Sequence, residues 1–150
     1  MLKHHRQERH SSCGAAAFKI MLSDTVDITE KVARKECHTR ASGTHNFNVL
    51  NALRARNLDA NMVQLDVEFA EYSRWLFLNS MGRKLYLCCH FIDKACGGRG
   101  GRDRNRHHAV VCSDGYIYDP GEDKPCPIEA YFDTFSKKLF IKSMIMVDKS

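Results

Sequence analysis

The sequence has no long apolar run and no export signal. Across its 150 residues no window approaches the roughly eighteen consecutive apolar residues that a membrane-spanning helix needs. The first ten residues, MLKHHRQERH, are polar and basic, without an apolar centre or a small-residue cleavage site. The sequence therefore predicts no membrane segment and a cytoplasmic location.

The cysteines lack the features of a disulfide framework. There are seven, an odd number, two of them are adjacent in the chain, and no export signal accompanies them, so we expect free thiols. Six are interpreted as inert thiols: Cys37, Cys88, Cys89, Cys96, Cys112 and Cys126.

A paired zinc motif is also missing, since the chain has neither C-x-x-C nor H-x-x-x-H. Two sets of side chains could still suggest a metal: His4, His5, His10 and Cys13, or Cys88, Cys89 and His90. Without the paired spacing we predict no metal and no other cofactor.

The chain is helical at first and then rich in strands, which is typical of an α+β fold. No internal repeat or long linker interrupts it, so we expect one domain over 1–150. Helices are predicted at about 13–23, 28–37, 46–56, 68–82 and 128–135, and strands at 60–66, 84–92, 108–113, 116–119 and 137–147.

Cys13 lies where a polar segment turns into a helix, in RHSSCGAAAF. Ser11 or Ser12 can cap that helix. A thiol is a strong nucleophile only as the thiolate, and the positive end of a helix dipole lowers its pKa. The position therefore predicts a nucleophilic cysteine.

A hairpin could supply the base. If Asp114 and Gly115 form a two-residue turn, Val110 lies opposite Asp119, and His108 projects from the same face two residues away. Diagonal neighbours of this kind are roughly 7–8 Å apart, so an imidazole and a carboxylate can meet. His107 projects from the opposite face and is the less favoured base.

Gln7 lies six residues before the cysteine. Acyl transfer places a negative charge on the former carbonyl oxygen, and a neutral amide beside the backbone N–H of Cys13 could stabilise that charge. Gln7 is therefore a candidate oxyanion donor.

These segments together resemble a known family. QERHSSCGAAAFKIML is similar to the active-site start of the bacteriocin-processing double-glycine leader peptidases, which are papain-like cysteine peptidases, and SGTHNFNVLNALRARNL, HAVV and YDPGED follow in the family's order. The resemblance implies a papain-like fold with N-terminal helices packed on an antiparallel sheet. It also implies Cys13 as nucleophile, His108 as general base and acid, Asp119 as its orienter and Gln7 as oxyanion donor. The chain differs from the family around the histidine, where His107 replaces the usual glycine and Ala109 the usual bulky residue.

A glycine and arginine segment, expected as a loop from Asp93 to His107, leads into the histidine strand. Since it runs directly into His108, we expect it to overhang the cleft and attract an acidic substrate. A solvated loop without a ligand, and nucleic-acid binding through residues 97–106, are the alternatives. The residues predicted to bind substrate are Gly14, Arg99, Arg102, Arg104, Arg106 and His107.

The favoured function is hydrolysis of a peptide or isopeptide bond, in a substrate that is acidic or glycine-rich at the cleavage site. Related acyl transfers, glutamine deamidation or a transglutaminase-like reaction, use the same groups. A non-catalytic module that binds peptide or nucleic acid is the alternative from another class. The glycine pairs at 97–98 and 100–101 also suggest self-cleavage.

Overall fold

A computed structural model describes residues 1–98, 102–133 and 138–149. The helices are α1 (Cys13–Leu22), α2 (Glu30–Glu36), α3 (Asn46–Ala55), α4 (Phe69–Asn79) and α5 (Ile128–Asp133). The strands are β1 (Ala60–Glu68), β2 (Arg83–Gly98), β3 (Arg102–Ser113), β4 (Tyr116–Tyr118), β5 (Cys126–Pro127) and β6 (Lys138–Asp148). All pair antiparallel in one sheet of order β1-β6-β2-β3-β4-β5. The predicted α+β class is confirmed.

The helices cover both faces of this sheet. Strand residues alternate between two apolar clusters, as the two-residue period of a strand requires. Tyr86 and Val111 pack with α1 and α3, whereas Leu87 and Val110 pack with side chains of α4 and α5. The sheet is therefore the middle layer, with the N-terminal helices on one side.

Helix α1 is buried along nearly its whole length, from Gly14 to Phe18 and from Ile20 to Leu22. Its run of small residues brings the helix axis close to the sheet, where larger side chains would hold it away. The first turn of α1 is thereby packed against the strands.

The β3–β4 turn confirms the predicted hairpin. Asp114 and Gly115 have φ values of 49° and 83°, the positive values that a type I′ turn requires at both central positions. Val111 pairs with Tyr118, so the next positions along the strands are 110 and 119. This is the register that the sequence predicts for His108 and Asp119.

The prediction of a loop from Asp93 to His107 was wrong. Strand β2 continues to Gly98 and β3 already begins at Arg102, with Asp93 paired to Arg104 and Gly98 to Arg102. Main-chain pairing between adjacent strands outweighs the poor strand propensity of glycine. Local composition does not reveal such pairing. Residues 99–101 lie outside the described residues.

Smaller differences lie at element ends. Helix α4 ends at Asn79 rather than Gly82, and the short strand β5 was not predicted. Within the described ranges, every helix is too short or too polar to cross a membrane.

Candidate active site

Cys13 opens α1, as predicted, but the predicted serine cap is not formed. Ser12 is the N-cap residue, and its hydroxyl donates to the Arg9 carbonyl (2.9 Å) and accepts from the Arg9 N–H (3.0 Å) instead of bonding to the helix. This bonding fixes the turn that leads into the helix. The N–H groups at the start of α1 are not satisfied by a side-chain cap.

His108 on β3 meets Asp119, which directly follows β4. The ring Nε2 lies 2.5 Å from Asp119 Oδ1. Asp119 is 5% exposed, and it also accepts from the Gly121 N–H (2.8 Å) and from the Tyr131 hydroxyl (2.9 Å). The carboxylate is therefore fixed from three sides, and it holds one nitrogen of the imidazole.

The thiol of Cys13 is hydrogen-bonded to His108. Because Nε2 is held by Asp119, Nδ1 is the ring nitrogen left for the sulfur. Burial disfavours the thiolate, but the hydrogen bond and charge of His108, with the N–H groups of Ala109 and Gly14, outweigh it and lower the pKa of Cys13. The first turn of α1 and the histidine strand thus act on the same sulfur.

The pKa values of His108 and Asp119 shift in the directions that match this ion pair. Burial disfavours a charged imidazole, but hydrogen bonds to Asp119 and Cys13 outweigh it and raise the pKa of His108 to about 10. Burial also disfavours the carboxylate, but the hydrogen bond and charge of His108 lower the pKa of Asp119. At neutral pH the geometry favours a thiolate, an imidazolium and a carboxylate in a row.

Gln7 lies in the irregular segment before α1. Its backbone N–H donates to the Pro120 carbonyl (2.8 Å), which ties this segment to the residue after Asp119. Its side-chain Nε2 donates to the carbonyls of Arg9 (2.9 Å) and His10 (3.1 Å). In this conformation both amide hydrogens are occupied by the main chain.

The same N-terminal segment is attached to α2 by a buried carboxylate. Glu30 is 1% exposed. It accepts from the Glu8 N–H (2.9 Å), the His5 ring (3.0 Å) and Arg34 (2.6 Å). These bonds hold the stretch around Gln7 against the helical layer.

A cavity of about 250 Å³ contains the thiol and the imidazole. Gly14 lines it and cannot be larger, because a Cβ there would lie 2.7 Å from Thr44 Cβ and 3.1 Å from the Tyr86 hydroxyl. Small side chains, among them Ala41, Ser42 and Ala109, line the cavity as well. The space beside the thiol is narrow.

The other predicted substrate residues are placed only in part. His107 is exposed, lines the cavity and stacks on His90, with ring centroids 4.9 Å apart. Arg102, Arg104 and Arg106 have their backbone in β3, and Arg99 lies outside the described residues. A substrate role for these arginines stays a prediction.

The remaining described thiols are in surroundings that suppress ionisation. Burial raises the pKa of Cys37, Cys88 and Cys126. It raises the pKa of Cys112 to about 12 and the pKa of Cys89 well above its ordinary value. Cys13 is the thiol among the described side chains whose pKa is lowered.

The structure does not bring the suggested metal ligands together. Cys88 and Cys89 are adjacent on β2 and project from opposite faces. Among the described residues, the one group with ligand atoms within 4.8 Å of one another is His5, Glu8 and Glu30. The Arg34 guanidinium already pairs with the Glu30 carboxylate at 2.6 Å. We therefore interpret this group as a hydrogen-bond network.

Tyr131, Tyr86 and Thr44 are site residues that the sequence did not indicate. No motif marks Tyr131 or Tyr86, and the segment SGTHNFNVL, which contains Thr44, did not indicate a contact with Gly14. Tyr131 bonds to Asp119 from α5, and Thr44 and Tyr86 enclose Gly14.

Comparison of the sequence with family models and with curated proteins gives no match. Solved structures do share the fold. The peptidase domain of Streptococcus ComA, a bifunctional ABC transporter involved in quorum sensing, has a TM-score of 0.63 at 16% identity, covering 100% of both chains. A double glycine motif protease from an AMS/PCAT transporter, solved with its leader peptide, has a TM-score of 0.60 at 18% identity, covering 100% of this chain and 93% of that one.

The fold is therefore that of the papain-like peptidase domains of such transporters. The fold expected from the resemblance is confirmed.

Proposed function

We propose that this protein is a cysteine peptidase that cleaves a peptide or isopeptide bond. The observation that carries the proposal is the row Cys13, His108 and Asp119, in which the thiol pKa is lowered and the imidazole pKa is raised. An ion-paired thiolate at a helix start is the usual activated form of a cysteine nucleophile. The shared peptidase fold supports the same chemistry.

The reaction follows from the positions of these groups. The Cys13 thiolate attacks the substrate carbonyl carbon and forms a tetrahedral intermediate with a negative oxygen. His108 gives its proton to the leaving amine as the C–N bond breaks, and an acyl enzyme remains. Water, deprotonated by the now neutral His108, attacks the thioester, and the acid product leaves as the thiolate and imidazolium reform.

The oxyanion is assigned to two donors in this proposal. The first is the N–H of Cys13, at the positive end of α1. The second is the Gln7 amide, which must first exchange its bond to the Arg9 or His10 carbonyl for one to the oxyanion. The attachment of the Gln7 main chain to Pro120 keeps this amide close to the elements that carry the triad.

The substrate proposed here is a peptide. The transporter protease noted above was solved with a leader peptide, and for this chain we propose a peptide or protein segment, acidic or glycine-rich where it is cut. Gly14 and His107 border the cavity at the thiol and would contact that segment. A cytoplasmic location and a nucleic-acid contact through residues 97–106 stay predictions from the sequence.

A mixed peptide library from a proteome digest tests the proposal. The library is incubated with the purified protein and with a Cys13→Ala variant, and the products are identified by mass spectrometry. New peptide termini that need Cys13 support hydrolysis. Conversion of glutamine to glutamate without cleavage indicates deamidation, a cross-link to an amine indicates transfer, and identical products from both proteins contradict the proposal in favour of a binding module.

A further inference from the structure

A second cavity adjoins the one that holds Cys13. Its volume is about 720 Å³, within the roughly 300–1,000 Å³ range of ligand pockets. The two cavities share a wall formed by Ser42, Gly43, Thr44, Asn46, Cys88 and His107. The second cavity therefore lies directly beside the one that holds the thiol.

Among the described residues that line the second cavity, two carry a positive charge and none is a carboxylate. Arg40 and Lys142 line it, together with the imidazoles of His38, His45 and His107, and the other lining side chains are neutral. We name it the cationic groove. Charges of one sign along a cleft concentrate the potential there and attract a ligand of the opposite sign.

Arg40 is presented by a tight loop. Its N–H donates to the Gly43 carbonyl (3.0 Å), and its carbonyl accepts from the Gly43 N–H (2.9 Å). Gly43 has φ +113°, a backbone conformation that glycine adopts at little cost. Within the described residues Arg40 forms no ion pair, so its charge is not compensated by a neighbour.

Lys142 reaches the groove from β6. Its Nζ lies 3.0 Å from Asp66 Oδ1, and the two side chains are 41% and 68% exposed. Ion pairs this exposed contribute little to stability. A ligand carboxylate can therefore compete for Lys142 without disturbing the fold.

We infer that the cationic groove binds an acidic segment of the peptide substrate next to the scissile bond, with Arg40 and Lys142 as specificity-determining residues. The inference rests on the proposed peptidase activity and names a feature of its substrate. A peptide is favoured over nucleic acid because the groove adjoins the cavity that holds the thiol, and because the described residues that line it include no Phe, Tyr or Trp for base stacking.

Reactive peptides test this inference. One pair carries a chloroacetyl group at the N-terminus, followed by two glycines and then either four glutamates or four glutamines. A second pair carries the same residues before a C-terminal chloromethyl ketone, so that the tail extends the other way from the thiol. The rate of Cys13 alkylation by each is divided by its rate with iodoacetamide, which is small and neutral and reports on the nucleophile alone.

In at least one orientation the glutamate reagent should react about tenfold faster than the glutamine reagent at low salt, and the preference should shrink as salt screens the charges. The double variant Arg40→Gln/Lys142→Gln should lose most of the preference. A control with the same loss of charge, Lys31→Gln/Arg74→Gln, changes exposed helix residues outside the groove and should keep it.

Each failure has its own signature. If iodoacetamide labels Cys13 rapidly but glutamate and glutamine reagents react equally in both orientations, the inference is wrong and the peptidase proposal stands. If Cys13 does not react with iodoacetamide, both are wrong. If an oligothymidylate binds through Arg40 and Lys142 while Cys13 reacts equally with the glutamate and glutamine reagents, the inference is wrong and the groove binds nucleic acid instead.

Discussion

At the scale of single residues, Asp119 determines the charge of the histidine. An Asp119→Asn variant removes the negative charge beside Nε2, so the pKa of His108 should fall from its raised value of about 10 toward the ordinary range. An NMR titration of the His108 ring measures this shift. An Asp123→Asn variant is the control, because that carboxylate is 81% exposed and should leave the titration unchanged; equal midpoints in both variants would contradict the role of Asp119.

Gly14 is required by packing rather than by backbone conformation. A Gly14→Ala variant places a Cβ 2.7 Å from Thr44 Cβ, and overpacking of this kind costs about 1–3 kcal/mol. We expect urea unfolding to show a free energy of unfolding that is lower by this amount. A double variant that adds Thr44→Gly removes the Thr44 atoms that collide with the new Cβ and should recover part of the lost stability. A Gly14→Ala protein as stable as the wild type would show that this contact is not tight.

At the scale of elements, the β3–β4 hairpin places two members of the triad. Gly115→Ala puts a side chain at φ 83° and within 3.0 Å of Phe77, and a strained residue costs of order 1–3 kcal/mol. Urea unfolding should show a free energy of unfolding that is lower by this amount. Asp114→Asn is the matched control, because asparagine tolerates a positive φ. Its side-chain oxygen can still accept from the Gly82 N–H, and the substitution gives up the ion pair with Lys149. Equal loss in both variants would mean that the strain at 115 is not the cause.

The elements also show how far local sequence determines the site. A two-residue turn sets its own register, so the pairing of His108 with Asp119 could be predicted from the hairpin alone. The small residues after Cys13 likewise predicted a helix. The strand extension to Gly98 could not be predicted, because it depends on main-chain pairing with β3 and not on the strand propensity of its own residues.

At the scale of the whole molecule, the long-range contacts could not be derived from local sequence. The approach of Cys13 to His108 depends on how α1 packs against β3, nearly a hundred residues later, and only the order of the motifs suggested it. Tyr131 reaches Asp119 from α5 without any motif. The amide of Gln7 is bound to the main chain, a detail set by the fold of the N-terminal segment. The single-domain organisation over 1–150 stays a prediction.

The most direct test of the ion pair is the rate of Cys13 alkylation by iodoacetamide as a function of pH, with the label located by peptide mass. Because the pKa of Cys13 is lowered and that of His108 is raised, the ion pair keeps the sulfur a thiolate at a pH where an ordinary thiol is still protonated. The account predicts that the rate levels off at a lower pH than the rate for an ordinary thiol does. In a His108→Ala variant the hydrogen bond and charge of His108 are lost while burial still disfavours the thiolate, so the pKa of Cys13 rises and the rate should keep climbing to a higher pH than in the wild type. Unfolded protein, whose thiol has its ordinary pKa, is the reference. A wild-type profile that climbs as steeply as the variant's would contradict the ion pair and the peptidase mechanism built on it.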